Sequence, residues 1–319
     1  MQIGMLTDSL PDAGFDTMLA VAARLGLDVL EFGCGNWSSA PHLDLDALLG
    51  SGALRREFLA RVVAHGIGIS ALNCSGNPLH PGDAGRRHDD VTRKTIRLAR
   101  LLGVDRVVMM SGCPGAPGDA HPNWITTEWP PEVREIVRWQ WDEVLLPYWR
   151  DLVAYANDEG VPRLCLELHG HQNVYNVATL VKLRDAVGPT VGANLDPSHL
   201  MWMGADPLAA ARALGSAVYY VHAKDTRIDA AIAGVNGVID TTPGSEYRSR
   251  AWNYITLGHG HGEAWWRAFV HTLAEVGYDG ALSIEHEDPA MSAEQGVEES
   301  VALLRRVIVD RPARAHARA

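Results

Sequence analysis

"GANLDPSHLMWMGADP", residues 192–207, is the stretch whose reading decides the fold. An apolar, strand-like run over 191–195 stops abruptly at Asp196, and His199 follows three positions later. Three other runs end in a similar way. "RLCLELHGH" (163–171) delivers Glu167 and His169, "VYYVHAKD" (218–225) delivers His222 and Asp225, and "GALSIEHED" (280–288) delivers Glu285, His286 and Glu287. Hydrophobic strands that finish on carboxylates and imidazoles need a common explanation.

Working outward, the same short β-rich runs recur along the chain. Strands are predicted at 2–6, 29–32, 68–73, 106–110, 163–168, 191–195, 218–221 and 280–284. Most are continuous apolar runs, the pattern of parallel strands buried on both faces. Helical spacing fills the gaps. "FDTMLAVAARLGLD" stops at Gly26, "RRHDDVTRKTIRLARLLGVD" at Gly103, and "ADPLAAARALGS" opens with Asp206 as N-cap and Pro207 at the first helical position. Eight strands separated by helices predict an α/β fold, a single (β/α)8 TIM barrel spanning 1–310, with 311–319 as a basic tail. An open doubly wound sheet is the alternative, but neither "LTDSLPDAG" nor "GCGNWSS" is a G-x-G-x-x-G turn. Two connections are long, 111–140 after the fourth strand and 226–262 after the seventh. Both leave strand C-termini, where barrel active sites form, so both are expected to be lids or binding loops.

The chain has 319 residues and a formal charge of −11. That charge repels phosphate backbones and anionic lipid, so neither nucleic acid nor a membrane surface is expected as a partner. Cys34, Cys74, Cys113 and Cys165 are dispersed, with no C-x-x-C pair, and read as reduced thiols. With no secretory signal at "MQIGMLTDSL" and no long apolar span, a cytoplasmic location is expected.

In a barrel the fifth to eighth strands are neighbours, so Glu167, Asp196, His222 and Glu285 converge on one side of the mouth. Any one acid could simply cap a βα turn. Four on successive strands instead form a mixed oxygen and nitrogen set suited to one divalent cation, Mn²⁺ first, with Mg²⁺, Co²⁺ or Zn²⁺ possible. Such a site permits proton abstraction beside a chelated carbonyl, through a metal-stabilised enolate. Return of the proton to the opposite face epimerises the carbon. Return to the neighbouring carbon isomerises it, and expulsion of a substituent makes a lyase.

"LELHGHQNVYN", "NLDPSHLMWMGADP", "VHAKDTR" and "LSIEHEDPAMS" resemble the sugar phosphate isomerase/epimerase family of xylose-isomerase-like barrels. The resemblance covers most of the chain. It implies Glu167, Asp196, His222 and Glu285 as the metal set, Glu167 and Glu285 as proton carriers, and His199 as a contact to a substrate hydroxyl. It extends to two subgroups acting on 3-oxo-sugars. One comprises 3-oxo-glycoside epimerases. The other comprises C-glycoside deglycosidase large subunits, lyases that pair with a small β-rich subunit. A small sugar or glycoside is the expected ligand and a homo-oligomer the expected assembly, or a hetero-oligomer under the lyase reading. A catalytically inactive sugar-binding barrel is the non-enzymatic alternative.

The remaining candidates lie on the loops. His169, His171 and Asn173 follow the first glutamate. Lys224 and Arg227 follow His222, and with no Gly-rich anion cradle a non-phosphorylated sugar is favoured. Trp124 is a stacking candidate, whereas Trp139, Trp141 and Trp149 read as helix-face core. His261 in "GHGHG" is a candidate acid or base, alongside His169. Strand alternation turns His286 away from the metal side.

Overall fold

The computed structural model describes residues 1–308. The expected tail, 311–319, and the last residues of the expected domain lie outside the described residues. Among the described residues there are ten strands: β1 (Gln2–Leu6), β2 (Val29–Gly33), β3 (Gly68–Asn73), β4 (Arg106–Met109), β5 (Arg163–Glu167), β6 (Val191–Leu195), β7 (Val218–Ala223), β8 (Asp225–Ile228), β9 (Trp252–Ile255) and β10 (Ala281–Ile284). Eight of them close into a parallel barrel in the order β1-β10-β7-β6-β5-β4-β3-β2, while β8 and β9 form a separate antiparallel ribbon. The chain is therefore the predicted (β/α)8 TIM barrel. The seventh stave runs two residues further than predicted, to Ala223, which places His222 within the strand.

Each stave has two buried faces. Inward, Val29, Ala71, Val108, Cys165, Tyr220 and Ala281 fill the lower barrel. Outward, residues such as Leu30, Leu72, Val107, Leu164, Leu166 and Val221 pack under the helices. Side chains alternate with a period of two. Two residues above Val29, Cys165 and Tyr220 on the inward face therefore come Glu31, Glu167 and His222. Ser283 stands in the same relation to Ala281. The inner face thus changes from apolar to polar on approaching the C-terminal mouth.

Two of the helices stop at the glycines expected to end them. The helix Phe15–Leu25 closes on Gly26 (φ 64°) and the helix Asp83–Leu102 on Gly103 (φ 73°), both left-handed. Asp206 caps the helix Pro207–Leu214 by accepting from Leu208 N.

The two long connections are organised. After β4 the chain runs irregularly to the helix Glu132–Trp139. The loop is pinned by the buried Gln140 amide, which donates to Asn123 O at 2.8 Å and Pro114 O at 3.1 Å. Trp141 and Trp149 are core residues, and Trp149 Nε1 donates to Ser111 O at 3.0 Å. Trp139 is half-buried. The connection after β7 contains the β8–β9 ribbon and the short helix Ala230–Asn236, which buries none of its residues. No helix among the described residues is long and apolar enough to cross a membrane.

Candidate active site and metal centre

Four consecutive staves, β5, β6, β7 and β10, carry Glu167, Asp196, His222 and Glu285 to the mouth. One ligand atom from each lies within 4.8 Å of the others. Glu167, Asp196 and His222 are buried. Three carboxylates crowded this closely repel one another unless positive charge stands among them.

Asp196 answers the question raised by its own sequence. It is the N-cap of the helix Pro197–Trp202, and Oδ1 accepts from Ser198 N at 2.8 Å. Its Oδ2 is buried with no hydrogen-bond partner, although His199 Nε2 stands at ion-pair distance, 3.1 Å. One oxygen therefore caps the turn while the other is left for a ligand. A divalent cation fits this arrangement: an orphaned buried carboxylate oxygen, two further carboxylates and an imidazole, gathered at one point.

His222 sits at the centre. Nδ1 lies 3.0 Å from Glu167 Oε1 and 3.1 Å from Glu285 Oε2. Nε2 lies 3.0 Å from Glu31 Oε2. Glu31 is fully buried and also accepts from Asn73 Nδ2 at 2.8 Å and Ser283 Oγ at 2.7 Å. With Glu31 on the Nε2 side and Glu167 and Glu285 on the Nδ1 side, both ring nitrogens face acceptors; Glu31 holds Nε2–H in place, so a cation would take the position of the Nδ1 proton. Burial opposes protonation of His222, but the charges of Glu31 and Glu285 outweigh it and raise the pKa well above the usual value.

The same balance acts on the glutamates. Burial works to raise the Glu167 pKa, yet the imidazoles of His199 and His222 beside it hold it well below the ordinary carboxyl value. Burial also opposes ionisation of Glu285, and the nearby Lys224 and His222 reverse it. Lys224 is buried, with Nζ 3.0 Å from Glu285 Oε2 and 2.6 Å from Glu287 Oε2, and 4.1 Å from the Tyr254 ring centroid.

His199 and His169 join the group. Their ring centroids are 4.1 Å apart. His199 Nδ1 shares a 2.8 Å hydrogen bond with the Tyr254 hydroxyl, so the β8–β9 ribbon reaches the site. Burial depresses the His169 pKa to about 3, with the His199 charge adding to it. His171 is left-handed (φ 61°) and packs 5.0 Å from half-buried Trp124, which also meets Tyr175 edge-on.

Other expected residues lie apart from the cluster. Asn173 is buried under the loop after β4, its N–H on Gly112 O at 3.0 Å. Arg227 is exposed on β8. His261 Nδ1 bonds Asp225 Oδ1 at 2.8 Å. Asp225 is fully buried and also accepts from His261 N, Gly258 N and Trp266 Nε1, so the pair ties the ribbon to the "GHGHG" turn. His286 turns away from the ligands as expected and packs on Gly296, where a Cβ would lie 2.0 Å from its ring.

Glu31 and Tyr254 escaped the sequence reading. Glu31 carried the same signal as the ligands, a lone acid in the apolar run "VLEFG", but not at its end.

Barrel and site together define the class: the chain belongs to the xylose isomerase-like TIM barrel family, whose model matches residues 19–307. Among curated proteins it is similar to YfiH of Bacillus subtilis (strain 168), itself uncharacterized, with 49% identity over 311 residues, covering 97% of this chain and 99% of YfiH. Among solved structures it resembles a xylose isomerase domain protein from Planctomyces limnophilus (22% identity, TM-score 0.61, 96% of this chain and 98% of that one). It also resembles D-psicose 3-epimerase with D-tagatose from Clostridium cellulolyticum H10 (16% identity, TM-score 0.61, 96% and 99%). At these identities the structural likeness is one of fold.

Proposed function

We propose that this protein is a divalent-metal-dependent isomerase or epimerase of a keto-sugar or 3-oxo-glycoside, moving a proton at a carbon beside a carbonyl. One observation carries the reading: ligand atoms of Glu167, Asp196, His222 and Glu285 lie within 4.8 Å of one another, with Asp196 Oδ2 orphaned among them. When bound there, a divalent cation supplies Lewis-acid polarisation of a substrate carbonyl.

The protein's own groups do the rest. Glu167 and Glu285 meet His222 through one oxygen each, from opposite sides of the β6–β7 pair. The second oxygen of each is the proton carrier, one carboxylate taking the proton and the other returning it. His199, fixed by Tyr254, orients a substrate hydroxyl. The β8–β9 ribbon excludes water from the carbon that loses its proton.

A neutral sugar suits the mouth better than a phosphorylated one. Lys224 is committed to Glu285 and Glu287. Arg250 lies over the Trp252 ring at 4.7 Å and Arg248 over Tyr247 at 5.4 Å.

The test strips the protein with chelator, restores Mn²⁺, and incubates it with D-fructose and with an aryl 3-oxo-glucoside in D₂O. The reading requires metal-dependent deuterium entry at a sugar carbon. Release of the aryl group would move the assignment to the lyase branch. Full metal loading without exchange or release would leave a sugar-binding barrel.

A further inference from the structure

We propose that Asp8 is a substrate-contacting residue, its carboxylate accepting hydrogen bonds from sugar hydroxyls on the side of the mouth away from Glu167. This rests on the sugar-isomerase reading above.

Asp8 lies in the single-turn helix Thr7–Ser9 that follows β1 directly. β1 pairs with β10, which leads into Glu285, and with β2, which carries Glu31. Following the C-terminal end of β1, Asp8 stands at the mouth between the strands that deliver Glu285 and Glu31. β2 makes room for it: a Cβ on Gly33 would lie 2.3 Å from Asp8 Oδ1 and 2.4 Å from Ser38 Oγ. Only glycine lets the carboxylate settle on that backbone.

The other mouth carboxylates each have an imidazole or ammonium beside them, although Asp196 Oδ2 makes no hydrogen bond and belongs to the ligand cluster. Glu31 and Glu167 face His222, Asp196 faces His199, and Glu285 faces Lys224. Asp8 Oδ1 is buried and has no hydrogen-bond partner. The groups acting on Asp8 are Ser38, Glu31, Glu285 and, more weakly, His42. Burial together with the two glutamates outweighs Ser38 and His42, so the carboxyl sits above its usual pKa. A half-buried carboxylate without a matching cation is under-satisfied, and neutral O–H donors remedy that without adding charge.

The experiment compares wild type with Asp8→Asn and Asp8→Ala as full-length, Mn²⁺-loaded proteins, using D-fructose and an aryl 3-oxo-glucoside. Metal per chain should be unchanged in both variants. Deuterium wash-in should show KM raised about 10- to 100-fold, as for loss of hydrogen bonds to a charged acceptor, with a smaller change in kcat. A purely structural role would not split KM from kcat in this way. If wild type exchanges and the variants keep its KM, the Asp8 assignment is overturned while the isomerase reading stands. If wild type binds metal but exchanges neither probe, the isomerase reading fails. Asp8 is then judged by saturation-transfer NMR on the Mg²⁺-loaded proteins. Loss of sugar signal in Asp8→Asn upholds it. An equal signal, or none from wild type, overturns it.

Discussion

Glu31 Oε2 and His222 Nε2 lie 3.0 Å apart across the barrel, although β2 and β7 are not neighbours. The contact makes the orientation of the central imidazole a property of the closed barrel rather than of one strand. Removing Glu31 leaves His222 free to present either nitrogen to the ligand cluster. Glu31→Ala should therefore weaken Mn²⁺ binding about 10- to 100-fold, the usual cost of losing a group that orients a metal-binding histidine. Competition with a fluorescent chelator measures this, and unchanged affinity would remove Glu31 from the site.

The ribbon makes a different prediction. Tyr254 joins β9 to His199, while the helix Ala230–Asn236 buries nothing. Replacing residues 230–249 with a short glycine–serine link should leave metal content and cooperative unfolding intact and lower turnover, because β9 loses the carbonyls of Val238 and Tyr247 that hold Trp252 and Asn253 and the ribbon no longer stays closed over the reacting carbon. Full turnover in the shortened protein would exclude a lid role.

Much of this was legible in the primary structure, for physical reasons. Strands buried on both faces read as unbroken apolar runs, so the eight staves stood out, and a carboxylate ending such a run marked the mouth. Glu31 was harder. It sits inside a stave, two residues above Val29, and its value depends on a partner 191 positions away. Tyr254 lies in a ribbon that sequence periodicity did not separate from the long connection around it. The partners of His261 and Asn173 were equally invisible, since both are set by loop packing. A polar residue near a mouth looks the same in sequence whether it faces substrate or its own backbone.

The cysteines offer a check on packing. All four are buried. Burial pushes Cys74, Cys113 and Cys165 up to about 12, and Cys34 well above its usual value. The folded protein at pH 8 should resist iodoacetamide at every cysteine, and denaturant should expose all four, as counted by intact mass. Rapid native labelling at any one would contradict the packing around it.

At the opposite end of the barrel, Asp105 joins the starts of β4 and β5. Its oxygens meet Arg106 Nε at 2.7 Å and an Arg163 nitrogen at 2.5 Å. Burial works to raise its pKa, but the two arginines outweigh it and lower it. A carboxyl whose folded pKa is depressed stabilises the fold above its unfolded value, about 3.9, and loses that contribution as pH falls through the folded pKa. Asp105→Asn should therefore unfold more easily than wild type at pH 7. The two should converge well below pH 3.9. Urea unfolding across pH measures this, and a gap that persists undiminished in acid would contradict the ion-pair account.

The central claim is that Glu167 and Glu285 hold the metal and also carry the proton. Deuterium wash-in with Glu167→Gln and Glu285→Gln, each at saturating Mn²⁺ so that weakened binding is not mistaken for lost chemistry, tests it most directly. Each amide keeps the side-chain shape and loses the basic oxygen. The account predicts exchange slowed about 10²- to 10⁴-fold in both variants. Near wild-type exchange in both would contradict it and pass the proton to the histidines beside them.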